Sequence, residues 1–288
     1  MSASVTAKQL LRLRADLTDR DWQIIAMLAR VRVATSAQLE ALYFSDVSRR
    51  RAQQRLAVLT RRRVLARLPR VIGGVRAGSR GHVYALDAAG QRLADLGQRS
   101  RPRRPRPVGT AYLDHALAVA EVYVRVVLAE RSGALRLVRF AGEPGAWRSF
   151  YGAGGTRVTL APDAYLVTSV DGFEDHWFLE LDLGTESAAA LARKLAVYRG
   201  YWQSGTEQAA HEIFPKVLWL VPDESRAGVL AKVISRQPTE ARALFAVAVS
   251  EQAVAGCVKE PRDDGVTPQQ RPDRRRRRGA RDVARVKR

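Results

Sequence analysis

The sequence predicts two folded modules, an α+β one followed by an α/β one, and then a disordered basic tail. Three observations predict this. The charge is unevenly spread, a Pro/Arg run separates two periodic regions, and the apolar spacing switches between helical and extended. The chain has 288 residues, enough for two domains of about 100–200 residues each. At 46% hydrophobic it can bury real cores. The net charge is +20. Residues 1–107 carry 23 Lys/Arg against 7 Asp/Glu, residues 108–258 carry 14 against 17, and residues 259–288 carry 12 against 5. Of the 49 cations only 6 are Lys. Heavy Arg use can come from a GC-rich genome, but that bias would load every segment alike, and the middle is nearly neutral. A polyanion partner explains the partition better. The single cysteine, Cys257, excludes an intrachain disulfide and a Cys-rich zinc site. No run is long and apolar enough for a signal peptide or a bilayer span, so a soluble cytoplasmic protein with no membrane partner is expected.

The first module spans residues 15–98. Thr18 and Asp21 form a capping box with Asp in place of the usual Glu/Gln. Trp22, Ile25, Leu28 and Ala29 follow at helical spacing and predict a helix to about Arg30. Thr35-Ser36 caps a second helix, with Leu39, Leu42 and Tyr43 inward. Ser45-Asp46 is expected to cap a third, whose buried stripe is Ala52, Leu56 and Leu59. Val64–Leu68 and His82–Leu86 read as two strands around a Gly-rich loop, and Asp87 caps a short helix through Leu96. Three helices and a hairpin is the order of a winged helix-turn-helix, whose third helix enters the major groove. Arg49, Arg50, Gln53 and Gln54 lie off that helix's buried stripe, and Arg and Gln suit guanine and adenine edges. Arg70, Arg76 and Arg80 flank or occupy the wing, where they would meet phosphates. The expected partner is double-stranded DNA, at an origin-like site.

Residues 99–109 form a Pro/Arg linker. Its alternating prolines deny it helix and sheet. The tail, residues 259–288, contains Arg274 through Arg278 and little to bury, so disorder is expected.

The second module spans residues 110–258. Tyr112–Ala129 reads as a helix and Leu135–Phe140 as a strand. A Gly-rich excursion follows from Gly142 to Gly155. Val158–Val167 and His176–Leu183 read as the next two strands. A helix starts at Ser187 and runs to about Trp202. Lys216–Val221 is a buried strand, Glu224–Ile234 a helix, and Leu244–Val249 a last strand. This α-β-β-β-α-β-α-β order is the layout of the restriction-endonuclease-like core. Pro162-Asp163 and Glu180-x-Asp182 place acids on adjacent strands, in a pattern that resembles the PD-(D/E)xK signature. Oxygen ligands of this kind suit Mg²⁺ or Mn²⁺, and metal-bound carboxylates can cleave a phosphodiester. Asp163, Glu180 and Asp182 are the candidate metal ligands and catalytic acids, the last two expected on one face of the strand. Asp182 stands where the signature has Lys. Lys194 is the substitute: at about 1.5 Å per residue, a helix running back from Ser187 brings it down to the level of Glu180. His115 could approach the same acids, and Glu121 and Glu143 could add ligands. Glu186 is expected to help cap the helix behind it. Tyr198 and Tyr201 are expected to pack rather than to act as nucleophiles.

The layout resembles the replication-relaxation family of plasmid and integrative-element proteins over about residues 15–250. The residues that carry this are Leu17-Thr18-Asp19-Arg20-Asp21, His115 through Glu121, Pro162-Asp163-Ala164, and Phe178 through Ser187 leading to Lys194-Leu195 and Tyr198. The family is similar to mobilisation relaxases that pair a winged helix with a restriction-nuclease-like domain. The resemblance implies a role in plasmid replication, DNA relaxation or conjugative transfer, alongside other replication or transfer proteins. Two readings follow. One is a metal-dependent DNA nickase. The other is a non-catalytic initiator or regulator on an inactive nuclease-like scaffold.

Overall fold

A computed structural model describes residues 5–69, 81–95 and 109–250. The fold is α+β with mixed sheets. Its first part holds α1 (Ala7–Asp16), α2 (Asp19–Val31), β1 (Val33–Thr35), α3 (Ser36–Tyr43), α4 (Arg49–Arg61), β2 (Leu65–Arg67), β3 (Val83–Leu86) and α5 (Ala88–Ala94). The second holds α6 (Thr110–Arg131), β4 (Arg136–Gly142), β5 (Arg148–Tyr151), β6 (Arg157–Leu160), β7 (Ala164–Val170), β8 (Phe173–Leu181), α7 (Ala188–Gln203), α8 (Thr206–His211), β9 (Lys216–Val221), α9 (Glu224–Ile234), α10 (Thr239–Arg242) and β10 (Phe245–Val249).

Local chemistry sets many of these boundaries. Thr18 caps α2, and Asp21 returns the bond to the Thr18 backbone at 2.8 Å, so the capping box works with Asp as its acid. Thr35 and Gln38 repeat the device on α3. The third helix starts later than the sequence suggests. Its cap is Ser48, and Asp46 instead meets Arg20 at 2.7 Å. Arg49, Arg50 and Arg51 therefore form the first turn of α4. The expected hairpin gains a third strand: β1 pairs antiparallel with β3, giving the order β1-β3-β2.

The large sheet has the order β10-β9-β8-β7-β4. β4, β7 and β8 are antiparallel neighbours, whereas β8, β9 and β10 run parallel. Strand alternation sends side chains to two cores. Leu218 and Leu220 of β9 join Leu179 and Leu181 of β8 on one face, against Val119, Ala120 and Tyr123 of α6. Val217, Trp219 and Val221 join Phe178 on the other, against Leu195 and Tyr198 of α7 and Leu230 of α9. β9 is buried on both faces, which is why its sequence is a continuous apolar run. The first core continues into Ile24 and Leu28 of α2, so the described residues form one compact unit.

One expected strand is two. Residues 158–167 break into β6 and β7, and Asp163 lies in the break. Pro162 has no N–H to give a ladder, so it interrupts the strand there. β5, inside what reads as a Gly-rich excursion, pairs with β6 in a separate two-stranded ribbon. The described helices include none long and apolar enough to cross a membrane. Arg70, Arg76, Arg80, Cys257, most of the linker and the basic tail lie outside the described residues.

Candidate functional site

The sheet puts Asp163 and Glu180 beside each other. Asp163 follows Pro162 just before β7, and its N–H donates to the Leu179 carbonyl at 3.1 Å. Its Oδ2 accepts from the Leu181 N–H at 2.7 Å, which aims the carboxylate across β8. Its Oδ1 lies 2.9 Å from His115 Nε2 on α6. Glu180, on β8, points to the α7 side of the sheet. Its Oε1 accepts from the Tyr198 hydroxyl at 2.6 Å and its Oε2 from Lys194 Nζ at 3.1 Å.

Ser187 caps α7 and fixes the phase of that helix. Lys194 and Tyr198 are four residues apart and so share a face. Both reach the one carboxylate. Lys194 also donates to Glu186 Oε1 at 2.9 Å and sits 5.6 Å from the Trp219 ring centre. Glu186 is therefore a partner of the lysine; Ser187 does the capping.

Burial makes this network electrostatically tense. Glu180 is only 2% exposed. Desolvation, with the Asp163 charge behind it, pushes its carboxyl up to about 7, although Lys194 and Tyr198 oppose the shift. His115 is raised above its usual value mainly by its bond to Asp163, against the cost of burial. Burial lowers the Lys194 ammonium's affinity for its proton, but the Glu180 charge and the Glu186 bond outweigh it, so the lysine is held charged.

Asp182 does not join this cluster. Asp182 stays on the side of the sheet that carries α7 and α9, but its carboxylate is taken up by other partners. Asp182 Oδ2 instead accepts from Arg226 Nε on α9 at 2.6 Å, and Oδ1 from the Gly184 N–H at 2.8 Å. Arg226 also donates to the Glu186 carbonyl at 2.6 Å. This clamp ties the loop before α7 to α9, which is a structural task. Glu121 is elsewhere too, bonded by Gln38 at 3.0 Å and Arg125 at 3.1 Å.

The donor types present suit a hard divalent cation, but their arrangement does not. All four oxygens of Asp163 and Glu180 accept from, or face, a protein donor. Among the described residues no group of three or more His, Cys, Asp or Glu is placed to hold a metal ion. Lys194 and His115 supply the compensating charge instead.

Asp163 and His115 open onto a small cleft of about 20 Å³, also lined by Arg32, Tyr112 and Glu143. Such a volume takes about one water. His115 is 30% exposed and Lys194 38%, so these two side chains are where solvent meets the cluster. Arg32 closes α2 with a positive φ of 69° and lies 3.5 Å from Glu143. A non-glycine residue held there is costly. It brings a guanidinium from the first part of the chain to the mouth of the cleft. His115 reaches the acids as the sequence reading allowed, whereas Arg32 carries no sequence signal, because only the tertiary fold brings it to this cleft.

The second candidate surface is α4. Ala52, Leu56 and Leu59 are buried, while Arg49, Arg50, Arg51, Gln53 and Gln54 are exposed. Arg49 lies 3.6 Å from Glu40. Among the described residues no carboxylate pairs with Arg50 or Arg51. Beneath, Arg55 Nε donates to the buried Asp21 at 2.9 Å, which pins α4 to α2.

A family model described as Replication-relaxation matches residues 25–217, about two thirds of the chain. That range includes α4, His115, Asp163, Glu180 and Lys194, and it stops short of Arg226. None of the curated proteins and none of the solved structures matches the chain.

Proposed function

The chain belongs to the replication-relaxation family, and from that premise we propose that it is a DNA-binding protein of plasmid or mobile-element replication or relaxation. Its first part acts as a winged helix-turn-helix and lays α4 in the major groove of an origin-like duplex. The observation that carries this reading is the outward face of α4. Arg50, Arg51, Gln53 and Gln54 stand exposed there on a helix whose back is locked to α2. Arg and Gln supply the donors that base edges accept. Arg→Ala at position 50 or 51 should weaken binding to a duplex and reduce its salt dependence, whereas Gln54→Ala should relax sequence preference. Unchanged affinity in an Arg50→Ala/Arg51→Ala double variant would sink it.

A second reading is favoured by one specific observation. Lys194 stands at Glu180 although no lysine follows on the strand. On this reading the second part is a restriction-endonuclease-like domain that nicks DNA. Lys194 would stabilise charge on the cleaved phosphate, and His115, held by Asp163, would move a proton at the cleft. Divalent Mg²⁺ or Mn²⁺, if used, would have to displace Lys194 or His115 from the carboxylates. Supercoiled plasmid incubated with the protein and Mg²⁺ should then yield open circles, and Asp163→Ala should abolish them. Open circles that persist in Asp163→Ala would remove the site from the reaction. Titrating Mn²⁺ into wild type and Glu180→Ala by calorimetry separates this reading from the non-catalytic initiator, which predicts no heat in either.

A further inference from the structure

The β5–β6 ribbon has one face buried and one open. Phe150 points inward and meets Tyr201 at 5.2 Å between ring centres. Arg148 is anchored by buried Glu207 at 3.0 Å and lies over the Tyr165 and Phe178 rings. The root of the ribbon is thus fixed to the sheet and to α7 and α8. Alternation sends Ser149 and Tyr151 outward, and register places Thr159 opposite Ser149 and Arg157 opposite Tyr151. Tyr151 is 74% exposed, and Trp147, just before β5, is 45% exposed. Neither strand nor the turn between them contains a carboxylate, while each strand carries an arginine. At the turn, Gly154 and Gly155 take φ of 75° and 73°, with open space where a side chain would stand.

Neighbouring exposed apolar side chains mark interaction sites, and Trp147 and Tyr151 stand exposed four residues apart at this ribbon. Aromatic rings beside a cation on a rigid face, free of carboxylates, match the chemistry of an unpaired nucleic-acid strand. Bases stack on the rings, and arginine meets the phosphates. The glycine tip lets a backbone approach closely. The ribbon also leads directly to the acid cluster. Arg157 is six residues before Asp163, so the two are separated by no more than about 20 Å along extended chain.

We propose that the outer face of the β5–β6 ribbon binds single-stranded DNA, with Tyr151 stacking on a base and Arg157 on the adjoining phosphate. This rests on the reading of the chain as a DNA-handling protein, in which melting or nicking a duplex exposes such a strand. It is a separate surface from α4.

The full chain can be titrated into a labelled oligothymidylate of about 15 nucleotides, near the upper site size of stacking platforms, and into a duplex of the same length. Tyr151→Ala should weaken binding to the single strand about ten-fold or more, as loss of one base–aromatic stack does. Tyr151→Trp should restore it, and Arg157→Ala should lower its salt dependence. Duplex affinity should stay unchanged in all three, because α4 sets it. Unchanged single-strand affinity in Tyr151→Ala would overturn the proposal, as would equal losses on both probes. Wild type that binds duplex but no single strand would overturn it too, and would leave the α4 reading standing. Binding to the single strand alone, lost in Tyr151→Ala, would support the ribbon and sink the α4 reading.

Discussion

Glu180 is a carboxylate inside a protein with one ammonium and one hydroxyl to hold it, and its proton therefore reports on the whole cluster. Its folded value of about 7 exceeds its ordinary 4.5. Between those pH values the native state keeps a proton that the unfolded chain has released, so stability must fall as pH rises through the window. His115, raised above 6.5, adds a loss in the same direction as it deprotonates. Thermal unfolding of wild type should show melting temperatures that decline from pH 4.5 to above 7, and Glu180→Gln should flatten the lower part of that decline. Identical slopes in the two proteins would mean the Glu180 carboxyl is not shifted. The sequence made part of this cluster legible. Strand order paired Asp163 with Glu180, and the rise of α7 placed Lys194 beside them. Asp182 shares the α7/α9 side of the sheet with Glu180 as alternation expects, but Arg226 of α9 and the Gly184 N–H occupy its carboxylate, and no sequence spacing announces those partners. His115, which the sequence offered as able to approach these acids, does reach Asp163, at 2.9 Å.

Elements with strong caps and unbroken periodicity were the easiest to read. The boundaries of β9 and α9 agree with their apolar spacing, and the box at Thr18 places α2 to within a residue. The β5–β6 ribbon was hidden because four-residue strands give too few alternations to stand out beside glycines. α4 was set three residues too early, since Ser45 and Ser48 are equal candidates by chemistry and only the folded chain distinguishes them. The helix depends on Asp21, which is fully buried. Burial alone would raise its carboxyl, but Arg55 and the Thr18 bonds win and hold it below the usual range. Asp21→Ala removes the reciprocal half of the α2 capping box and the partner of Arg55 on α4. Loss of a capping interaction costs about 1 kcal/mol, and Arg55, 30% exposed, can turn its charge to water, so chemical denaturation should show a drop of about 1–2 kcal/mol. A change below ~0.5 kcal/mol, typical of surface substitutions, would show that the pair does not hold α4 in place.

At the scale of the whole molecule, the two parts are pressed together more closely than charge partition alone suggested. A Cβ on Gly142, at the end of β4, would lie 2.4 Å from the Arg30 carbonyl of α2. The clashing atom is backbone, so relief requires α2 or β4 to shift. Gly142→Val should therefore lower the melting temperature and disturb the Arg32–Glu143 contact at the mouth of the cleft, whereas Gly154→Ala, in open space, should cost only its positive φ. A Gly142→Val protein as stable as wild type would mean that this approach is not a fixed contact. The joint between the parts was not legible because it is made by a glycine and a carbonyl, which carry no pattern. What the sequence did carry at this scale is the partition of charge, and the proposal that α4 meets duplex DNA starts from it. The most direct measurement is the slope of log affinity against log salt for a random-sequence duplex. Each phosphate contact contributes about 0.9 to that slope, so Arg50→Ala/Arg51→Ala should lower its magnitude by about 1.8. A double variant with the wild-type slope and affinity would contradict the account.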